Sequence, residues 1–122
     1  VKSSDGWQRL VPTTEIPLGT ARNFNLQGRE IAIFHTKDGF LARSGTCRHQ
    51  GFKFELCDIR GDEVRCPLHD WRYRISTGEG ISPRWPRLAR YPLRVEEGFI
   101  WVNLTGVEEP EPSDPELDRF QW

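Results

Sequence analysis

Two short stretches constrain this chain more than any other feature. One reads C-R-H-Q-G-F from Cys47 to Phe52, the other C-P-L-H-D-W from Cys66 to Trp71. Each holds one Cys and one His, and sixteen residues separate His49 from Cys66. Thiolate sulfur and imidazole nitrogen both bind borderline-soft transition metals, so Cys47, His49, Cys66 and His69 read as the ligands of one metal site. For four such side chains to meet, two loops far apart in sequence must be carried to one point. The rest of the chain reads as the scaffold that brings them there.

That scaffold is patterned as short strands with frequent turns. Trp7 to Val11 is a first strand closed by Pro12, and Ala21 to Leu26 is a second, followed by a turn at Gly28. Glu30 to Thr36 is the clearest early strand. Its Ile31 and Ile33 fall on one face and Ala32 and Phe34 on the other, so both faces are expected to be covered. Lys37-Asp38-Gly39 turns the chain into Phe40 to Arg43, and Gly61-Asp62 is a second hairpin signal, leading into Glu63 to Arg65. Trp71 to Ile75 alternates aromatic or apolar residues with Arg, the pattern of a half-buried strand. Thr77 to Gly80 is a turn, and Ser82 to Pro86, with two Pro, is a loop. A closing hairpin joins Y-P-L-R-V to G-F-I-W-V-N-L through Glu96-Glu97-Gly98. No stretch keeps helical spacing. The expectation is an all-β sandwich or barrel.

At 122 residues the chain is one domain by size. The formal net charge of -1 gives no overall field pointing to nucleic acid or to a membrane surface. Residues 1–107 carry 16 Lys and Arg against 12 acids, whereas residues 108–122 carry one Arg against six acids. This last stretch is Pro-rich, with tail or linker composition, although Phe120 and Trp122 could dock back. Three Cys do not make a disulfide framework, and metal-bound thiolates fit a reducing, cytoplasmic setting. No apolar run approaches the roughly 18 residues of a membrane segment, and no secretory leader opens the chain. It begins at Val1 and contains no Met, which reads as a processed or cut start.

From the residues alone, several uses of the two Cys-and-His pairs stay open. They could be unrelated buried or surface residues. They could hold structural zinc, although the usual Cys₂His₂ layout puts both Cys in one knuckle and both His on a helix. A Cys nucleophile with a His base would need an orienting group and an oxyanion hole, and it leaves the second pair unexplained. Cys57 has no partner at ligand spacing and reads as a small core residue.

The spacing C-x-H, sixteen residues, C-x-x-H resembles that of the Rieske iron–sulfur proteins. In that family two His replace two Cys on one iron of a [2Fe–2S] cluster. The likeness continues through Gly51, Trp71, the T-G-E-G turn and the closing hairpin, and covers Trp7 to Leu104. It implies a Rieske-type antiparallel β sandwich or barrel with a small two-loop cluster-binding subdomain at about residues 45–75, within a domain of residues 1–107. It implies that Cys47 and Cys66 bind one iron while His49 and His69 bind the other. Neutral imidazoles leave their iron electron-poor, so the added electron belongs there and the potential rises above that of an all-Cys cluster.

The departures from the family pattern are informative. High-potential respiratory members carry a disulfide at the positions of Phe52 and Leu68, and a Ser donor to a cluster sulfur at the position of Trp71. Tyr73 matches their second hydroxyl donor. Fewer donors lower the potential, so the expected value is near the low end of the Rieske range, roughly -150 mV. Asp70 replaces the usual Gly after the second His, and Asp tolerates a left-handed backbone. Trp85 and the Ser82–Pro86 loop, which lack the family's fuller Gly-Pro pattern, are either its third loop over the cluster or a plain connecting loop. Arg72, Arg74, Arg84, Arg87, Arg90 and Arg94 make a basic run that is either a solvated face or a docking surface for an acidic redox partner.

The resemblance implies single-electron transfer as a Rieske-type ferredoxin, with a reductase and a terminal oxygenase as partners. The alternative is the N-terminal Rieske domain of a ring-hydroxylating oxygenase, cut from its catalytic domain. Such oxygenases need a second iron held by two His and a carboxylate. With two of its three His assigned to the cluster, this chain has only His35 left. A respiratory or nitrite-reductase-like subunit is a third possibility, the respiratory form being disfavoured by the absent disulfide.

Overall fold

The computed structural model describes residues 6–46, 53–67, 71–82, 84 and 86–107. Eleven strands run through them: β1 (Trp7–Pro12), β2 (Ala21–Leu26), β3 (Arg29–Thr36), β4 (Gly39–Ser44), β5 (Asp58–Arg60), β6 (Glu63–Arg65), β7 (Arg72–Arg74), β8 (Gly80–Ser82), β9 (Arg90–Tyr91), β10 (Leu93–Glu96) and β11 (Phe99–Asn103). The helical elements among the described residues are two 3-10 turns, Thr13–Glu15 and Phe54–Leu56. None is long and apolar enough to cross a membrane.

All pairings are antiparallel and fall into three sheets, ordered β1-β11-β10, β2-β3-β4-β9 and β5-β6-β7-β8. The fold is therefore all-β, as the strand patterning predicts. The middle sheet is a shared wall, and β3 shows why. Its Ile31 and Ile33 enter a core with Ile16, Ala42, Tyr91, Ile100, Val102 and Leu104, which joins the wall to β11. Its Ala32 and Phe34 enter a second core with Phe54, Val64, Cys66, Trp71, Tyr73, Ile75 and Leu88, which joins the wall to the β5–β8 sheet. Each fully buried large apolar side chain contributes about 1.5–3 kcal/mol. Both faces of β3 are thus committed, and slipping its register by one residue would exchange the two cores' side chains.

Turn chemistry fixes the registers. Leu26 pairs with Arg29 across Gln27-Gly28, and Glu96 pairs with Phe99 across Glu97-Gly98. In both two-residue turns both central residues have positive φ, 53° and 82° in the first, 54° and 79° in the second. That is the type I′ geometry whose twist matches the flanking strands.

The structure differs from the sequence expectation in four places. Y-P-L-R-V is not one strand. Tyr91 in β9 pairs with Ala42 of β4, whereas Leu93 in β10 pairs with Val102 of β11, so the chain changes sheets at Pro92. Pro lacks the N–H that a continuous ladder needs, which makes it a natural breakpoint. Asp58–Arg60 and Gly80–Ser82, read respectively as unassigned and as turn running into loop, are strands that complete the third sheet. Pro12 belongs to β1, pairing with Phe99 beyond a register shift after Arg9.

Candidate metal centre

The two ligand-bearing loops leave the body at neighbouring points of one core. The first is closed at its base by a bridge between Thr46 and Lys53 and by the Phe54 N–H donating to the Gly45 carbonyl at 3.0 Å. The second is closed by the Cys66 N–H donating to the Trp71 carbonyl at 2.7 Å. Phe54, just past the first loop, meets Tyr73 edge-on at 5.5 Å between ring centroids and Phe34 at 5.8 Å. Cys66, Trp71 and Tyr73 belong to the same buried cluster. One aromatic core therefore carries the bases of both loops.

Of the predicted ligands, Cys66 is described and is fully buried. Cys47, His49 and His69 lie outside the described residues, as do Gly51, Phe52, Leu68, Asp70 and Trp85. The donor chemistry at Cys66 fits a metal. A buried thiolate is costly in apolar surroundings, and a bound cation offsets that cost. Tyr73 is buried beside it in the cluster, and Trp71 is only 5% exposed. Cys57 is half-buried against the same cluster, with its Sγ 3.5 Å from the Lys53 carbonyl, in line with its reading as a small packing residue. The remaining histidine is occupied elsewhere. His35 Nδ1 lies 2.7 Å from the Ile16 carbonyl, and the ring stacks on Phe40 at 4.0 Å.

Two polar ties, neither evident in the sequence, fasten the loop-bearing half to the wall. On β4, Arg43 is buried and reaches across to the turn after β7, where Nε donates to the Ile75 carbonyl at 2.9 Å and Nη2 to the Ser76 carbonyl at 2.9 Å. Asp62 holds that turn from the other side, accepting from the Ser76 N–H at 2.9 Å and hydroxyl at 2.6 Å. On β2, Asn23 reaches the stem of the first loop, where its Nδ2 donates to the Gly45 carbonyl at 2.8 Å and its Oδ1 accepts from the Glu55 N–H at 3.1 Å.

The segment read as a third loop is also closed at its base. The Gly80 N–H donates to the Pro86 carbonyl at 2.8 Å, and Glu79 bridges to Arg87. The basic run does not form one strip along one sheet. Arg72 and Arg74 lie on β7, Arg90 on β9, and Arg94 on β10, where its guanidinium stacks over Trp7 at 4.4 Å.

Loops bearing Cys and His that leave an all-β body from one aromatic core fit a metal-binding domain. The model of the Rieske [2Fe–2S] domain matches residues 6–92, and the chain belongs to that family. The cofactor of the family is a Rieske-type [2Fe–2S] cluster. Among curated relatives, the ferredoxin component of a naphthalene 1,2-dioxygenase system from Pseudomonas aeruginosa is 25% identical over 84% of this chain and 99% of its own length. The oxygenase component of a 3-ketosteroid-9-alpha-monooxygenase from Mycolicibacterium smegmatis is 33% identical over 96% of this chain. The chain spans only 34% of that oxygenase component. A solved complex of reduced oxygenase and oxidised ferredoxin in carbazole 1,9a-dioxygenase contains a chain that matches with a TM-score of 0.75 at 26% identity. The match covers 82% of this chain and 94% of that one.

Proposed function

We propose that this chain carries single electrons from a reductase to a terminal oxygenase, as the ferredoxin component of an oxygenase system. The observation that carries the reading is likeness to ferredoxins in both sequence and fold. The chain is 25% identical to a naphthalene dioxygenase ferredoxin component and matches a chain of the carbazole 1,9a-dioxygenase oxygenase–ferredoxin complex with a TM-score of 0.75, on a body whose two base-closed loops carry one Cys and one His each. In this reading Cys47 and Cys66 hold one iron and His49 and His69 the other. When bound, the cluster supplies a one-electron relay at a potential raised by its imidazole ligands. Cys66 presents its thiolate from a buried position, so its geometry is set by packing. Trp71 and Phe54 are buried in the same cluster as Cys66, which keeps the dielectric around that thiol low. Tyr73 places a hydroxyl at the position from which the family donates a hydrogen bond to a cluster sulfur. Residues 1–107 act as the cluster domain, with 108–122 as an acidic tail, and the working compartment is the cytoplasm.

A second reading has its own support. The 33% identity to an oxygenase component, over 96% of this chain, fits a Rieske domain that belongs to a longer oxygenase. The length of the intact protein separates the two. The reading of the site itself is tested by metal analysis with optical and EPR spectra of the purified protein. Two irons per chain and a reduced-state EPR signal are expected, with a midpoint near the low end of the Rieske range, roughly -150 mV. A colourless, zinc-containing sample ends the cluster reading, and a strongly positive midpoint ends the low-potential one.

A further inference from the structure

We propose that Asn23 is a positioning residue for the first cluster loop, acting from a strand that precedes the loop by more than twenty residues. The inference rests on the ligand reading above, because the loop it holds carries Cys47 and His49. Asn23 stands on the same face of β2 as Ala21, which packs on the loop-bearing core. Its carboxamide touches both ends of the loop stem. One Nδ2 hydrogen goes to the Gly45 carbonyl at 2.8 Å, two residues before Cys47, and the other to Glu30 Oε2 at 2.9 Å. Oδ1 accepts from the Glu55 N–H at 3.1 Å, three residues past Phe52. The main chain answers in kind, with the Asn23 N–H donating to Glu55 Oε1 at 2.8 Å.

The stem is built around that contact. Gly45 donates its N–H to the Glu30 carbonyl at 2.8 Å, while its carbonyl also accepts from the Phe54 N–H at 3.0 Å. A Cβ on Gly45 would lie 2.8 Å from Asn23 Nδ2 and 2.8 Å from the Glu30 backbone. The close approach thus requires glycine, since no real Cβ sits that near a neighbour. Lys53 Nζ lies 3.8 Å from Glu30 Oε2, the same carboxylate oxygen that accepts from Asn23.

The physical consequence follows from where the bonds end. Asn23 contacts the residues flanking the loop, so it fixes the position and tilt at which the loop leaves the wall. A ligand loop whose two ends are held needs less rearrangement when the charge on its metal changes. Nothing in a plain strand-edge role demands bonds to both ends of the stem. The neighbouring Asn25 provides the contrast, because its side chain serves its own hairpin through Gly28 N–H at 3.3 Å and Glu30 at 3.4 Å.

The test compares the holoproteins of wild type, Asn23→Ala, Glu55→Ala and Asn25→Ala by EPR of the reduced cluster, midpoint potential and rate of iron release to a chelator. Asn23→Ala removes three side-chain hydrogen bonds, two of them to the stem, and is expected to alter the EPR line shape and midpoint and to speed iron release at least about tenfold. Glu55→Ala, at an exposed position, removes only the acceptor of the Asn23 N–H and should move the same readouts in the same direction by less. Asn25→Ala should leave them unchanged. If Asn23→Ala does not fold, the Glu55→Ala result decides. An Asn23 or Glu55 variant matching wild type in all three readouts overturns the proposal, as does an equal effect from Asn25→Ala. A wild-type protein without a two-iron cluster overturns the ligand reading instead, and is seen before any variant is compared.

Discussion

The two faces of β3 make an instructive pair. On the Ile31 and Ile33 face the core is largely aliphatic and the strands opposite, β1, β10 and β11, are four to six residues long. On the Ala32 and Phe34 face it is aromatic, with Phe34, Phe54, Trp71 and Tyr73, and the strands opposite are three residues long. Short strands have few ladder hydrogen bonds, so this second half depends on large side chains and on polar ties from the wall. It also holds the proposed ligand Cys66 among its packing residues. One half of the molecule is a support, and in the other half the proposed site draws on the support itself.

The contrast can be broken or sharpened by experiment. Cys66→Ser has the largest expected effect. It should abolish cluster incorporation, read as loss of iron and of visible absorbance. The β1-β11-β10 core should persist, seen as slow hydrogen exchange at Ile100 and Val102. Collapse of exchange protection throughout the chain would show that the halves are one cooperative unit. Next come two adjacent truncations on opposite faces of one strand. Phe34→Ala and Ile33→Ala each remove a fully buried side chain and should each cost about 2–5 kcal/mol of stability. Phe34→Ala alone should speed iron release and perturb the reduced EPR signal. Equal spectroscopic effects from both would erase the distinction between the faces. The smallest effect is expected from Tyr73→Phe, which keeps the packing and removes the hydroxyl. A one-electron midpoint lowered on the order of 40 mV, equivalent to about 1 kcal/mol, is expected with little change in melting temperature. An unchanged midpoint would remove Tyr73 from the set of donors.

Much of this division is legible in the amino-acid order. The I-A-I-F run predicts two covered faces because strand side chains alternate with period two, and both cores are there. β2 matches its expected span, and the β10–β11 hairpin announces itself through its Glu97-Gly98 turn. The strands that escape reading are those without a pattern of their own. Asp58–Arg60 has one apolar residue between two charges, and Gly80–Ser82 is rich in turn formers, so each becomes a strand only because β6 or β7 lies beside it. Pro92 marks a break in the chain, but nothing local says that the two sides join different sheets. The spacing of the proposed ligands is legible because four side chains of two types, Cys and His, stand as two pairs in short stretches. The ties through Asn23 and Arg43 are not, because their partners are largely backbone groups 22 to 33 residues away, and a carbonyl looks alike at every position.

The closed bases of the loops have a consequence for how such a domain can change. Because Gly45 meets Phe54, Cys66 meets Trp71 and Gly80 meets Pro86, each excursion begins and ends at almost the same place in space. Between the first two pairs of points residues can then be added or exchanged without altering the path of the strands, and doubling the length of a loop costs only about 0.6 kcal/mol in closure entropy. The body behaves as a socket with interchangeable fittings. Reactivity can be revised by rewriting a handful of positions while the eleven strands are inherited intact.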